Sequence, residues 1–142
     1  MNKPLLLDAN VLGKIVYPKK NKDIALRFTN LLEKEIEFII PEISDYEVRR
    51  GLLHKDISKA VERLNELKEA LTYLPITTDV MLKAAELWAM ARKQGKPTSD
   101  PKELDCDIIL TAQTLQVNGI VITENIKHFI FVETKKLDEI IK

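Results

Sequence analysis

Cysteine is almost missing from this sequence: Cys106 is the only one in 142 residues. A single thiol excludes an intrachain disulfide and a cysteine-based zinc cluster, and it fits a reducing compartment. Net charge is missing as well. Lys and Arg number 22 and so do Asp and Glu, so no bulk positive field advertises nucleic-acid binding, and any such contact must come from a local basic patch. No apolar run approaches the roughly 20 residues of a membrane span. A strand signal begins within a few residues of Met1, which leaves no room for a signal peptide and makes a cytoplasmic protein with no membrane partner the expectation. The two histidines, His54 and His128, have no sequence neighbour suited to zinc or triad chemistry and are expected at the surface. Repeats, low-complexity tracts and linkers are absent too, so one domain over residues 1–142 is expected.

What is present alternates between apolar strands and amphipathic helices. Leu5–Leu7 and Glu37–Ile40 are short apolar runs that read as buried strands, the second stopped by Pro41. Helical spacing marks Val11–Tyr17, Asp23–Glu35, Ser44–His54 and Ile57–Leu71. Leu74-Pro75-Ile76 is a weak edge strand. Thr78–Gln94 is a helix whose apolar residues include Met81, Ala85, Leu87, Trp88 and Ala91, with Trp88 and Phe28 expected in the core. Lys96–Pro101 is a loop rich in breakers. A helix over Asp105–Val117, strands at Ile120–Thr123 and Phe129–Val132, and a helical turn at Lys136–Ile141 complete the chain. This order predicts an α/β fold, a parallel sheet with helices on both faces.

Four acidic signals fall where strands end or helices begin: Asp8, Glu47, the pair Asp105 and Asp107, and Thr123-Glu124-Asn125. In a parallel sheet the carboxyl ends of the strands share one edge, where ligands bind. Each acid also has a local explanation. Asp8 suits the N-cap of the helix that follows. Ser44-x-x-Glu47 has the form of a capping box, with Ser44 as N-cap. Asp105 and Asp107 complement a helix macrodipole, although two acids exceed what one cap needs; Asp107 is the favoured ligand and Asp105 the cap or an outlying member of the metal set. Asn125 and Thr123 can offer oxygen to an ion or its waters, with Glu124 as a rival. Carboxylate and amide oxygens select Mg²⁺ or Mn²⁺, and the reaction suited to such an ion is phosphodiester hydrolysis, with one or two metals. Arg49, Arg50 and Lys55 share the helix of Glu47, and Arg92, Lys93 and Lys96 close the helix before the loop; these could hold a phosphate backbone or form a solvated face.

These motifs, in this order, resemble the PIN-domain nucleases and especially the VapC-type toxins of toxin–antitoxin pairs. The resemblance rests on Asp8-Ala9-Asn10-Val11-Leu12, on Ser44 and Glu47 with Gly51 four residues later, on Asp107-Ile108-Ile109-Leu110-Thr111-Ala112, and on Thr123-Glu124-Asn125 followed by Phe129. It implies a three-layer α/β/α sandwich around a mainly parallel sheet of four or five strands. It implies a metal-dependent ribonuclease with Asp8, Glu47, Asp107 and Asn125 as catalytic residues and Asp8, Glu47, Asp107 and Asp105 as metal ligands. Asn10, Ser44, Arg49, Arg50 and Thr123 are the candidate substrate contacts. A homodimer and an antitoxin partner follow from the same likeness, with Ile57–Leu71 or Leu137–Ile141 as candidate faces. Two departures stand out: His128 occupies a place where the family often has Asp, and Gln94–Glu103 is a long approach to the third acid. The rival readings are a nuclease or phosphatase with a different substrate, such as structured RNA or single-stranded DNA, and a non-catalytic PIN-like binding module whose acids only cap helices.

Overall fold

Three leucines in succession, Leu5–Leu7, form β1 and lie at the middle of a parallel sheet in the computed structural model, which describes residues 2–95 and 104–140. Along the chain follow α1 (Ala9–Ile15), α2 (Lys22–Glu33), β2 (Phe38–Pro41), α3 (Glu42–His54), α4 (Ser58–Ala70), β3 (Thr72–Leu74), α5 (Thr78–Lys93), α6 (Leu104–Gln116), β4 (Ile120–Ile122) and β5 (Thr134–Lys135). The strands lie in the order β3-β2-β1-β4-β5, and every neighbouring pair is parallel.

The period-two geometry of the strands divides the core. Leu7, Phe38, Ile40, Ile120 and Ile122 pack with the buried residues of α1 to α4, whereas Val121 points the other way onto Cys106 and Leu110 of α6. Helix α5 lies outside α6 and packs on it through Val80, Ala84 and Leu87. The result is the expected α/β/α sandwich with five strands. Helix α3 belongs to both layers: Ile43 joins the α6 side, while Val48 and Leu52 join the other. It therefore starts at the carboxyl edge of the sheet and spans the seam between the two layers.

Several boundaries differ from expectation, each for a physical reason. Pro41 ends β2 and is itself the N-cap of α3, so Ser44 lies inside the first turn and does not cap it. The edge strand is Thr72–Leu74, ahead of Pro75, because proline cannot donate to the ladder. Phe129–Val132 is not a strand; Phe129 and Val132 pack beneath α6 as an apolar plug, and the pairing is made by the more polar Thr134 and Lys135. The buried stripe of α5 is Val80, Ala84, Leu87 and Ala91, which leaves Met81 and Trp88 exposed rather than in the core. Phe28 is buried as expected, its ring 5.0 Å from that of Phe38. Leu137 and Ile140 are also buried, so the C-terminal turn is no open face for a partner. The expected loop Lys96–Pro101 lies outside the described residues.

At the α6–β4 turn the chain passes close under β1. Asn118 takes the left-handed conformation, at φ 52°. Gly119 supplies the room: a Cβ there would sit 2.5 Å from Leu6 Cδ1 and 2.9 Å from the Pro4 carbonyl oxygen. Leu6 can yield but the backbone oxygen cannot move freely, so Gly119→Ala is expected to cost about 1–3 kcal/mol in urea-unfolding experiments.

Candidate active site

The strand order reverses beside β1. The chain lays down β1, β2 and β3 in one direction and then places β4 and β5 on the other flank. A crevice opens at such a switch point, outside the carboxyl ends of the strands. Leu7 pairs with Ile122, which brings the next residues of the two strands, Asp8 and Thr123, to the mouth of that crevice. The Asp8 amide donates to the Ile122 carbonyl at 3.0 Å. The Thr123 hydroxyl donates to Asp8 Oδ2 at 2.6 Å, and the Ala9 amide donates to Oδ1 at 2.7 Å. Thr123 Oγ1 in turn accepts from the Asn125 amide at 2.9 Å.

Asp8 is thus both the N-cap of α1 and a buried carboxylate, 7% exposed, whose two oxygens are aimed by their donors. The capping explanation holds, and Thr123 binds the second oxygen in addition. Thr123 is fully buried with its hydroxyl engaged as donor and acceptor, so it positions Asp8 and is not the substrate contact expected of it. Asn125 is exposed beside it, at the start of a short 3-10 turn, Ile126–His128. Glu124, the rival to Asn125, is ion-paired to Lys14.

Helix α3 sends its two central acids in different directions. Asp45 is buried, and Arg49 donates to its Oδ1 from Nη2 at 2.9 Å and from Nε at 3.2 Å. Tyr73 Oη donates to its Oδ2 at 3.4 Å, with Lys68 Nζ at 3.8 Å, and Arg49 Nη1 reaches Asn65 Oδ1 at 2.8 Å. Burial first, then the Asp45 charge, drives the Tyr73 phenol above its ordinary pKa. This network knits α3 to α4 and β3. Arg49, expected to touch substrate, is committed to it instead. Glu47 lies on the α6 side, where it accepts a hydrogen bond from the Cys106 thiol. Since Ser44 is not a cap, the capping-box explanation of Glu47 falls away.

Arg50 stays on the exposed side of α3, its guanidinium 5.1 Å from the centre of the Tyr46 ring. Its pKa is raised, chiefly by a hydrogen bond to Tyr46 and further by the negative charge of Glu47. Of the two candidate arginines, Arg50 is the one facing the carboxylate edge.

Cys106 itself is buried, and its pKa is pushed up to about 11, first by burial and then by the Glu47 charge. The thiol is neutral at physiological pH and cannot serve as a nucleophile. Its folded value lies above that of an exposed thiol, so it stabilises the protein at neutral pH. That contribution is lost as pH rises from the ordinary thiol range through about 11. Iodoacetamide at pH 8 is expected to leave Cys106 unmodified in the native protein and to alkylate it after unfolding, a contrast read by mass spectrometry.

Asp107 and Asp105 share the first turn of α6 but not its surroundings. Asp107 is held at 14% side-chain exposure with Oδ2 3.4 Å from His128 Nδ1. Asp105, two residues earlier and on the opposite helical face, is exposed. The structure does not bring it to Asp107, so its place in the metal set is not supported. His128 is a correction in the other direction: expected to be a surface histidine without a partner, it stands beside the third acid.

Two oxygens near this edge have no hydrogen-bond partner although they are buried: Asn10 Oδ1, one turn past β1, and Ser44 Oγ, one turn past β2. Ser44 is 1% exposed and so cannot meet a substrate directly. Orphaned oxygens beside buried carboxylates are the donor chemistry of a hard, hydrated cation. Among the described residues, however, no group of three or more His, Cys, Asp or Glu side chains stands close enough to grip an ion as they are. Asp8, Glu47 and Asp107 line one edge without closing into a finished cage.

A family model for the PIN domain matches residues 5–134. The chain belongs to the PIN domain family. No curated protein sequence matches it significantly. Among solved structures, this PIN domain is similar to VapBC2 from Rickettsia felis bound to a promoter DNA fragment, with a TM-score of 0.73 at 14% identity, covering 94% of this chain and 98% of that one. It is similar to VapBC-1 from nontypeable Haemophilus influenzae, at TM-score 0.72 and 18% identity, covering 95% and 98% of the two chains. FitAcB from Neisseria gonorrhoeae gives 0.72 and 22%, covering 96% and 99%. At these identities the likeness establishes the shared fold. Among the described residues, no helix is long and apolar enough to cross a membrane.

Proposed function

We propose that this PIN domain is a divalent-metal-dependent endoribonuclease and the toxin of a toxin–antitoxin pair. The observation that carries this reading is Asp8: a buried carboxylate at the switch point of the sheet, both oxygens aimed by donors, with the orphaned Asn10 oxygen two residues on in the first turn of α1. Asp8, Glu47 and Asp107 are the residues that would hold Mg²⁺ or Mn²⁺. When bound, such an ion lowers the pKa of a coordinated water and neutralises charge on the phosphate oxygens. The chain's own groups do the positioning. Thr123 fixes Asp8, and the uncharged Cys106 thiol steadies Glu47. Arg50 offers a cation to the incoming phosphate, and the exposed Asn125 amide can orient it.

The solved relatives are VapBC and FitAB complexes, which supports an antitoxin partner here. Exposed Met81, Leu82 and Trp88 on α5 supply an apolar surface for such a partner or for a second copy in a homodimer. Purified protein incubated with total RNA is expected to cut few sites with Mg²⁺ or Mn²⁺ and none with chelator. Intact RNA under all metal conditions would refute the proposal.

A second reading, a non-catalytic PIN-like module, is favoured by one observation, the lack of a closed ligand group among the described residues. Calorimetric titration separates the two. A nuclease site takes up Mn²⁺ stoichiometrically, and Asp8→Asn removes that uptake; a capping-only arrangement shows no saturable binding.

A further inference from the structure

We propose that His128 supplies a nitrogen donor to the ion gathered by Asp107, which biases this site toward Mn²⁺ over Mg²⁺. The inference rests on the metal-dependent reading above and specifies the ligand set of that site. His128 Nδ1 and Asp107 Oδ2 are 3.4 Å apart. Two donors in adjacent octahedral positions around a small divalent ion, at bond lengths of roughly 2.0–2.2 Å, are separated by about 2.8–3.1 Å. At 3.4 Å the pair needs to close by only a few tenths of an ångström to share one ion.

The backbone that carries the imidazole is also held in place. The His128 amide donates to the Asn125 carbonyl at 3.0 Å, closing the 3-10 turn, and the next residue, Phe129, is buried against Cys106 and Leu110. At 33% side-chain exposure, His128 remains open to ions from solution. An ion pair with a carboxylate is the alternative use of the same geometry. At this exposure such a pair is worth little to stability, so folding alone offers slight reason to keep the two together.

The consequence is chemical selectivity. Both ions are satisfied by carboxylates and water, but Mn²⁺ is a first-row transition metal, at the weak end of that series, and accepts a nitrogen donor more readily than the harder Mg²⁺. The substitution of imidazole for an oxygen ligand turns an indifferent site into a discriminating one.

The test uses the full chain stripped of metal, with binding read by calorimetry and ligand identity by pulsed EPR of the Mn²⁺ complex. The wild type is expected to bind Mn²⁺ about 10–100-fold more tightly than Mg²⁺ and to show nitrogen-14 modulation from a directly bound imidazole. His128→Ala is expected to lose that modulation, and His128→Asp to narrow the preference by about tenfold while restoring Mg²⁺ binding. Circular dichroism of both variants verifies the fold. Saturable Mn²⁺ binding without nitrogen modulation, unchanged in His128→Ala, overturns the role of His128 and leaves the metal-dependent nuclease standing. Absence of any saturable Mn²⁺ binding overturns both.

Discussion

Asp8→Asn is expected to reduce metal-dependent RNA cleavage by ~10³-fold or more while leaving the protein folded. Asparagine keeps an oxygen for the Ala9 amide, which now meets Oδ1 at 2.7 Å, and places its NH2 where Oδ2 meets Thr123 at 2.6 Å, where the hydroxyl can accept instead of donating. The cap and the seam between β1 and β4 survive, and stability should stay within about 1 kcal/mol of wild type. What disappears is the negative charge at the mouth of the crevice. An active-site ion supplies several kcal/mol of charge stabilisation, and each 1.4 kcal/mol is about tenfold in rate, hence the size of the loss. Residual cleavage near wild type would mean that Asp8 is a helix cap and nothing more. Cleavage of total RNA, paired with thermal unfolding of the same preparation, gives both numbers.

Glu47→Gln and Asp45→Ala should behave as opposites, although they alter one turn of one helix. Glu47 faces α6, the Cys106 thiol and the carboxylate edge. Its neutral amide is expected to cost roughly 10²–10³-fold in cleavage rate with little effect on unfolding. Asp45 is buried away from that edge and anchors Arg49, Tyr73 and Lys68. Its loss strands those donors, at a cost of about 1–3 kcal/mol, with cleavage retained in the folded fraction. Activity and urea midpoints measured on both variants decide the assignment. A pair of variants that lose activity and stability together would show that the two carboxylates are one structural unit.

Periodicity carried most of the fold because the strands are short, apolar and followed by residues that cannot continue them. Leu5–Leu7 ends at a capping Asp8, and β2 ends at Pro41, which itself opens α3. The parallel order and the shared edge follow from that alternation. The failures share one cause, that local patterns do not reveal which layer a side chain meets. Phe129–Val132 has the composition of a strand but serves as a plug under α6. On α5, Met81 and Trp88 lie one step from the buried stripe, and single-residue phase is lost when a helix packs along only one narrow face.

At the candidate site, Asp8, Glu47 and Asp107 were legible because each opens or follows an element at the carboxyl edge. The partners were not. Thr123 is read as a substrate contact until the β1–β4 register shows its hydroxyl on Asp8. His128 meets Asp107 across 21 positions of sequence, a proximity created by β4 running back beneath α6. The Asp45–Arg49 pair was within reach, since an acid and an arginine four apart on a helix are neighbours. Its presence alone would have separated Arg49 from Arg50.

The most direct measurement is a crystal structure of the metal-free protein after transfer into Mn²⁺, with anomalous scattering locating the ion. The expected result is one or two peaks within coordinating distance of Asp8 and Asp107, with Glu47 facing them directly or through water. An intact fold with no anomalous density at the β1–β4 edge, under Mn²⁺ concentrations that support RNA cleavage, would contradict it.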